Sequence, residues 1–538
     1  MQAHVSDQRR EHHESRGEWP HPNLTTRLAE RVQETPQRVL FVADDRRITA
    51  LDVQQQADRL AAGLLDLGVR AGDVVSWQLP NWIEAVFLTF ALDRIGAVSN
   101  PMLPIYRERE LRFICSQTEA RALIVPGVLR GFDHRELAAQ VSRTCPSLQH
   151  VLVVRAQPAP GQRSLDELLA LPPRSELPPS PLTPHDVATI FYTSGTTADP
   201  KGVMHTPSTL GALVSASRAI RGTRGDEVGI LWFPVTHIGG LAFFVIQPVI
   251  EGSRAVFLEQ FDPETALTLI EREQVTSAGA PPPILQALLR AKGFRRERVR
   301  SVRVAGIGAA DVPPELMREV SAEFGAFVYR SYGMTECPMT TAGRRDDPAE
   351  KLITTDGRPV PGATVRVVDD AGRALPPNSE GEIALRGPQL CVGYVDARLN
   401  DAFTADGFLR SGDLAVIDDE GFVRITGRKK DIIIRKGENL SAKSIEDELH
   451  AHPRIEEAAV IGVPDAVSGE RVCACIVLRA EGASGLTLYD VRHFLLERQV
   501  MAQKIPEQVE ILAELPRNAT GKVNKVELRR RFARPQSA

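Results

Sequence analysis

Aromatic residues make up only 5% of the chain, which argues against a base-stacking platform for nucleic acid. Excess charge is also lacking. Sixty-five Lys and Arg stand against 69 Asp and Glu, a formal net charge of −4, so charge implies no nucleic-acid or membrane-surface partner. The six cysteines (Cys115, Cys145, Cys337, Cys391, Cys473 and Cys475) are scattered, without a CxxC pair or a zinc spacing. Cys473 and Cys475 alternate within a strand-like run, 472–478, and so share one face, where core packing is expected rather than a redox pair. Long apolar runs are missing as well. The longest, Ile238 to Ile250, has 13 residues and contains Gln247 and Pro248, too short to span a bilayer. Met1 to Trp19 is polar and His-rich with no apolar stretch, so it does not read as a signal peptide, and a cytoplasmic location is the default expectation.

What is present is a globular composition, 43% hydrophobic and 25% charged over 538 residues, enough for about three or four domain-sized units. Thr49 to Val69 reads as a helix, with Thr49 as cap, Asp52 three residues on and Gly68 as stop. Val74 to Leu79 reads as a buried strand and Trp82 to Gly96 as another helix. The alternation continues through 123–125 and 151–154, as expected of a parallel, helix-covered sheet. Eight prolines between 156 and 184 predict a surface connector without helix or central strand. A second α/β unit follows at about 185–355, then β-like alternation at 364–368 and 381–385, and from about 431 a separate small α+β pattern. The predicted class is α/β. Residues 1–22 form a flexible N-terminus, 23–429 a large domain of two α/β subdomains plus a β-rich one, and 430–538 a mobile α+β domain.

Five segments carry candidate chemistry. Tyr192-Thr193-Ser194-Gly195-Thr196-Thr197-Ala198-Asp199-Pro200-Lys201-Gly202 lies between a predicted strand (187–191) and a predicted helix (209–220). Hydroxyls, glycines and a lysine suit a loop that grips polyphosphate, although the pattern is not a Walker A loop. Ser331-Tyr332-Gly333-Met334-Thr335-Glu336 offers a carboxylate that could hold Mg²⁺ beside phosphates. Ser411-Gly412-Asp413-Leu414 offers a second carboxylate, Gly427-Arg428-Lys429-Lys430-Asp431 a charged run, and Pro516-Arg517-Asn518-Ala519-Thr520-Gly521-Lys522 a lysine in a basic tail. Taken singly, the loop could be a solvated linker, the 331–336 segment a tight turn, the 427–431 run a solvated connector and Lys522 a surface charge. A further segment, Gly306-Ile307-Gly308-Ala309-Ala310-Asp311, follows a predicted strand but lacks the third glycine of a dinucleotide fingerprint.

In this order and at this spacing, the five segments resemble the signatures of the adenylate-forming superfamily: acyl-CoA synthetases, aryl-CoA ligases, peptide-synthetase adenylation domains and luciferases. The resemblance covers nearly the whole chain. It implies activation of a carboxylic acid with ATP and Mg²⁺, then transfer to the thiol of coenzyme A. Thr193, Ser194, Gly195, Thr196, Thr197 and Lys201 would hold the phosphates, with Thr193 and Glu336 on the metal. Tyr332 would stack on adenine beside Gly333, Ala309, Ala310 and Asp311, and Thr335 would meet the α-phosphate. Asp413 would bind the ribose and Arg428 the ribose or phosphate. Lys522 would be the catalytic lysine, Lys430 the hinge, and Lys436, Gly437 and Glu438 would face the pantetheine arm. His237, Gly239, Gly240 and Gly308 would border the acyl pocket, where Leu241, Phe243 and Phe244 suggest an apolar acid. Segments 104–111, 130–134 and 204–207 resemble the medium-chain and cyclohexanecarboxylate-CoA ligase branch. No large insertion precedes the hinge, which disfavours a fatty acyl-AMP ligase. Two alternatives stand beside a free acid–CoA ligase: an enzyme that loads a separate carrier protein, and a non-catalytic nucleotide-binding regulator, against which Glu336 and Lys522 argue. The sequence specifies no oligomeric state.

Overall fold

A computed structural model describes residues 7–19, 22–174, 177–193, 200–223, 225–435, 438–465, 468–479, 485–517 and 522–533. The N-terminal α/β unit is built on a seven-stranded sheet in the order 201–205, 189–193, 98–101, 74–77, 122–126, 150–154, 163–164. All neighbours in it are parallel except the first pair. The central strands Val74–Trp77, Val98–Pro101 and Ala122–Pro126 are buried along their whole length, as parallel strands covered on both faces must be. Helix Ala50–Asp66 starts at the Thr49 cap with a reciprocal Thr49–Asp52 box, and helix Glu84–Ile95 ends at Gly96 in the left-handed region (φ 71°).

The second α/β unit combines strands 228–231, 254–257, 39–43 and 46–49 with strands 304–307 and 327–332. Ser277 joins the two sets by parallel bridges to Gly229 and Val304. Strands 364–368, 380–386, 409–417 and 423–428 form an antiparallel sheet, the β-rich subdomain. The C-terminal unit has its own sheet (438–441, 432–435, 469–478, 455–465, with 508–512 alongside 469–478), helices Ala442–His450 and Leu488–Glu497, and its own apolar core around Ile445, Val460, Val472 and Val491. The fold class is thus the expected one. All six cysteines are free and buried, Cys473 and Cys475 in one cluster. No described helix is long and apolar enough to cross a membrane; the 238–250 run forms two short helical turns around a π-helical segment, Ala242–Ile246.

Three expectations need correction. First, the expected flexible N-terminus contains a helix, Asp7–Ser15, and Trp19 is only 6% exposed, its indole N–H donating to the Pro388 carbonyl at 2.8 Å. Second, the proline-rich connector contains strand 163–164 and helix Leu165–Leu169, capped by Ser164; the prolines flank this turn instead of interrupting it. Third, the candidate phosphate loop is not followed directly by a helix. An antiparallel strand, Lys201–His205, precedes helix Pro207–Arg221.

Candidate active site

The site forms where parallel strands end. In helix-covered α/β sheets, ligand crevices open at the carboxyl ends of the strands. Thr193 ends strand 189–193, Tyr332 ends strand 327–332, and Ile307 ends strand 304–307 just before Gly308. The added strand sets Lys201 directly opposite Thr193, and Gly202 opposite Tyr192. A Cβ on Gly202 would lie 2.8 Å from the Tyr192 ring and 2.8 Å from Val395, so the close approach needs glycine. Ser194, Gly195, Thr196 and Thr197, and likewise Lys436 and Gly437, lie outside the described residues.

Glu336 is 5% exposed. The Tyr394 hydroxyl donates to its Oε1 at 2.8 Å, and the Cys391 N–H donates to its carbonyl at 2.7 Å. Segment 392–395 reaches it because it pairs along strand 201–205, through the Val392–Met204 and Val395–Gly202 hydrogen bonds. Burial raises the Glu336 carboxyl above its ordinary pKa, against the opposing pull of the Tyr394 hydroxyl and the Lys201 ammonium. Thr335 is fixed through its carbonyl, which accepts from His205 Nε2 at 2.8 Å. His205 Nδ1 lies 3.0 Å from Thr209 Oγ1, and burial pushes this imidazole down to about 4, so it stays neutral. Nothing local signals that bracing role, since His205 and Thr335 are 130 positions apart.

Asp413 pairs with Arg428 across neighbouring strands. Arg428 Nε lies 2.9 Å from Asp413 Oδ1, and the Tyr332 hydroxyl donates to Oδ2 at 2.8 Å. One carboxylate oxygen is therefore held from the end of strand 327–332 and the other from the end of strand 423–428. Lys522 comes from the other domain into the same cluster. Burial and the neighbouring Arg428 charge push its ammonium down to about 8, while Asp413 and Glu336 pull it up. His237 is neutral too, lowered to about 4 by burial and by the Lys522 charge. Its Nδ1 accepts from the Gly239 N–H at 3.2 Å and so caps the turn Ile238–Leu241. A Cβ on Gly240 would lie 2.2 Å from the Pro234 carbonyl, and one on Gly308 2.7 Å from that of Ser331. A Cβ on Gly333 would meet the Met339 N–H nitrogen at 2.3 Å.

The remaining candidates are more peripheral. Ala309 has φ 65° and Ala310 is exposed. Asp311 forms an ion pair with Lys443 of the C-terminal unit, which also meets Asp447 at 2.8 Å. Lys430 sits in the one-turn 3₁₀ helix Lys429–Asp431, its ammonium lowered by burial and by Arg428. Glu438 is exposed at the start of strand 438–441. The cluster thus joins two carboxylates, three cations and a neutral imidazole, from segments spread between 201 and 522.

Comparison with known proteins gives a consistent picture. Residues 28–395 match the family described as AMP-binding enzyme, and residues 444–522 match the AMP-binding enzyme C-terminal domain. The chain is 33% identical over 537 residues to the medium-chain fatty-acid–CoA ligase of Escherichia coli strain K12, covering 98% of this chain and 94% of that protein. It is 33% identical over 527 residues to the 2,3-dihydroxybenzoate-AMP ligase of Bacillus subtilis strain 168, covering 97% and 96%. Its fold is similar to ATP-bound MatB from Rhodopseudomonas palustris, with a TM-score of 0.86 and 30% identity over 95% of this chain and 99% of that one.

Proposed function

The chain belongs to the AMP-binding enzymes of the adenylate-forming superfamily, ATP-dependent AMP-forming ligases, and from that premise we propose that it converts an apolar carboxylic acid, medium-chain or alicyclic, to its CoA thioester. In the first step a carboxylate oxygen attacks the α-phosphorus of ATP. The bond to the bridging oxygen breaks and pyrophosphate leaves. Thr193, Lys201 and the intervening hydroxyl loop hold the β- and γ-phosphates. Asp413 accepts from the ribose hydroxyls, Arg428 meets ribose or phosphate, and Tyr332, Ala309, Ala310 and Asp311 border the base. Thr335 and Lys522 meet the α-phosphate, where Lys522 neutralises charge as it builds. The residues fit a divalent cation: Glu336 is a buried carboxylate whose ionised form is disfavoured as it stands, and a cation would hold it ionised. Glu336 and Thr193 would hold Mg²⁺, which when bound would offset the negative charge of the phosphates.

In the second step a thiol sulfur attacks the acyl carbon and AMP leaves. The hinge reading draws support from Gly427 (φ 158°) and the short turn at Lys430, with Lys436, Gly437 and Glu438 meeting the pantetheine arm once the C-terminal unit, residues 430–538, has rotated. His237, Gly239, Gly240 and Gly308 border the acid, alongside buried Leu241 and the Phe233–Phe244 edge-to-face pair. The observation that carries this reading is that Lys201 stands opposite Thr193 and its charge reaches Glu336, while the charges of Glu336, Asp413 and Arg428 reach Lys522 from the other domain.

Its test is pyrophosphate release over a panel of aliphatic, alicyclic and aryl acids, with thioester measured for CoA and for a holo carrier protein. Hexanoate-to-decanoate or cyclohexanecarboxylate should give the fastest release, with CoA as acceptor. Thioester on the carrier alone would favour the loading enzyme instead, and no release with any acid would favour the non-catalytic regulator.

A further inference from the structure

The N-terminal segment 7–19 is polar and carries no amphipathic stripe, yet it is tied to the fold at specific points. Arg9 reaches across more than 380 positions. Its Nη1 donates to the Cys391 carbonyl at 2.9 Å and its Nη2 to the Leu390 carbonyl. Trp19 holds the Pro388 carbonyl, and the Arg9 guanidinium lies 5.5 Å from the Trp19 ring. His13 Nδ1 bonds Glu18 Oε2 at 2.7 Å, Arg16 donates to the other Glu18 oxygen, and Glu14 meets His185 at 2.8 Å. The segment thus grips 388–391 from outside. The inner side of that same stretch acts on the site, because the Cys391 N–H donates to the Glu336 carbonyl.

A half-buried guanidinium is a costly choice for simply fastening a terminus. Burial lowers its pKa, and its charge is felt by Cys337, Cys391 and His205. Cys337 adjoins Glu336 in sequence, and His205 holds Thr335. One cation therefore stands behind both residues expected to face the metal and the α-phosphate.

We propose that Arg9 is a positioning residue: by clamping the Leu390 and Cys391 carbonyls it fixes the stretch that holds the Glu336 main chain through the Cys391 N–H and its carboxylate through the Tyr394 hydroxyl, so that the N-terminal helix is a working part of the MgATP site. This rests on the reading of Glu336 as the metal-holding carboxylate. The test uses full-length protein with four forms: unaltered, Arg9→Met, Arg9→Lys and Glu336→Gln. Calorimetry measures MgATP binding without acid, and steady-state kinetics and melting are measured in parallel. Arg9→Met should weaken MgATP binding about tenfold, the scale of losing a group that orients a metal ligand. Its kcat should fall in step, with KM for the acid and the melting temperature little changed, and Arg9→Lys should recover most of the loss. Unaltered MgATP binding in Arg9→Met would overturn the inference. So would a loss of activity matched only by a loss of folded protein. If Glu336→Gln binds MgATP normally, the assignment of Glu336 fails first, and the two failures are told apart.

Discussion

Replacing Lys522 by alanine should slow acid-dependent pyrophosphate release by about 10²–10³-fold, the usual effect of removing one preorganised donor from a developing charge. Thioester formation from added acyl-adenylate should survive, because in the proposed second step Lys522 has swung away. Equal loss of both half-reactions would sink this assignment. The same residue sets a pH dependence. Its ammonium is held down to about 8 by burial and by Arg428, so in the free enzyme the required charge is present below that pH and is lost as pH rises through it. The kcat/KM for ATP should fall above about pH 8. Lys522→Arg, which stays charged, should remove that limb while remaining slow, since a planar fork does not replace a compact ammonium.

Replacing Glu336 by glutamine should lower adenylation on the order of a hundredfold and raise the Mg²⁺ concentration needed, because a neutral amide gives a cation far less support. Folding should not suffer. Glutamine keeps an oxygen for the Tyr394 hydroxyl. The folded-state pKa of Glu336 is raised above 4.5, so the unfolded chain ionises more readily, and this group's contribution to stability declines as pH rises past that value. At neutral pH the substitution removes a disfavoured charge, and the melting temperature should hold or rise. A variant that melts early with unchanged Mg²⁺ dependence would show Glu336 to be structural.

Much of this architecture was legible beforehand, where local chemistry and global packing agree. The Thr49–Asp52 box fixed one helix start, Gly96 one helix end, and the runs at 74–77, apolar but for Ser76, and 122–126 marked strands buried on both faces. What stayed hidden depends on contacts remote in sequence. Strand 201–205 begins with a lysine and a glycine and has little local signature; it forms because 189–193 on one side and 392–395 on the other supply hydrogen-bond partners. Helix 7–15 has no apolar face to announce it and is secured by Arg9 and Trp19 instead. The Tyr332–Asp413–Arg428 chain could be named residue by residue, but not the fact that Tyr332 and Arg428 occupy both oxygens of one carboxylate. Asp311, expected beside adenine, turns out to pair with Lys443 from the other domain.

That last contact has a consequence for how the molecule responds to its medium. The two domains are joined by an exposed charge pair, Arg290 to Glu456, and a more buried one, Lys443 to Asp311, together with the Ser441 hydroxyl on the Thr426 carbonyl, while each keeps its own apolar core. Ionic strength reaches the exposed Arg290–Glu456 pair readily and the Lys443–Asp311 pair less so, with a screening length that shrinks from about 10 Å at 0.1 M to about 3 Å at 1 M salt, and leaves the cores almost untouched. Added salt should therefore loosen the contact between the domains before it unfolds either one, and under the proposed rotation its dissolved ions would act as a dial on how long Lys522 stays at its post.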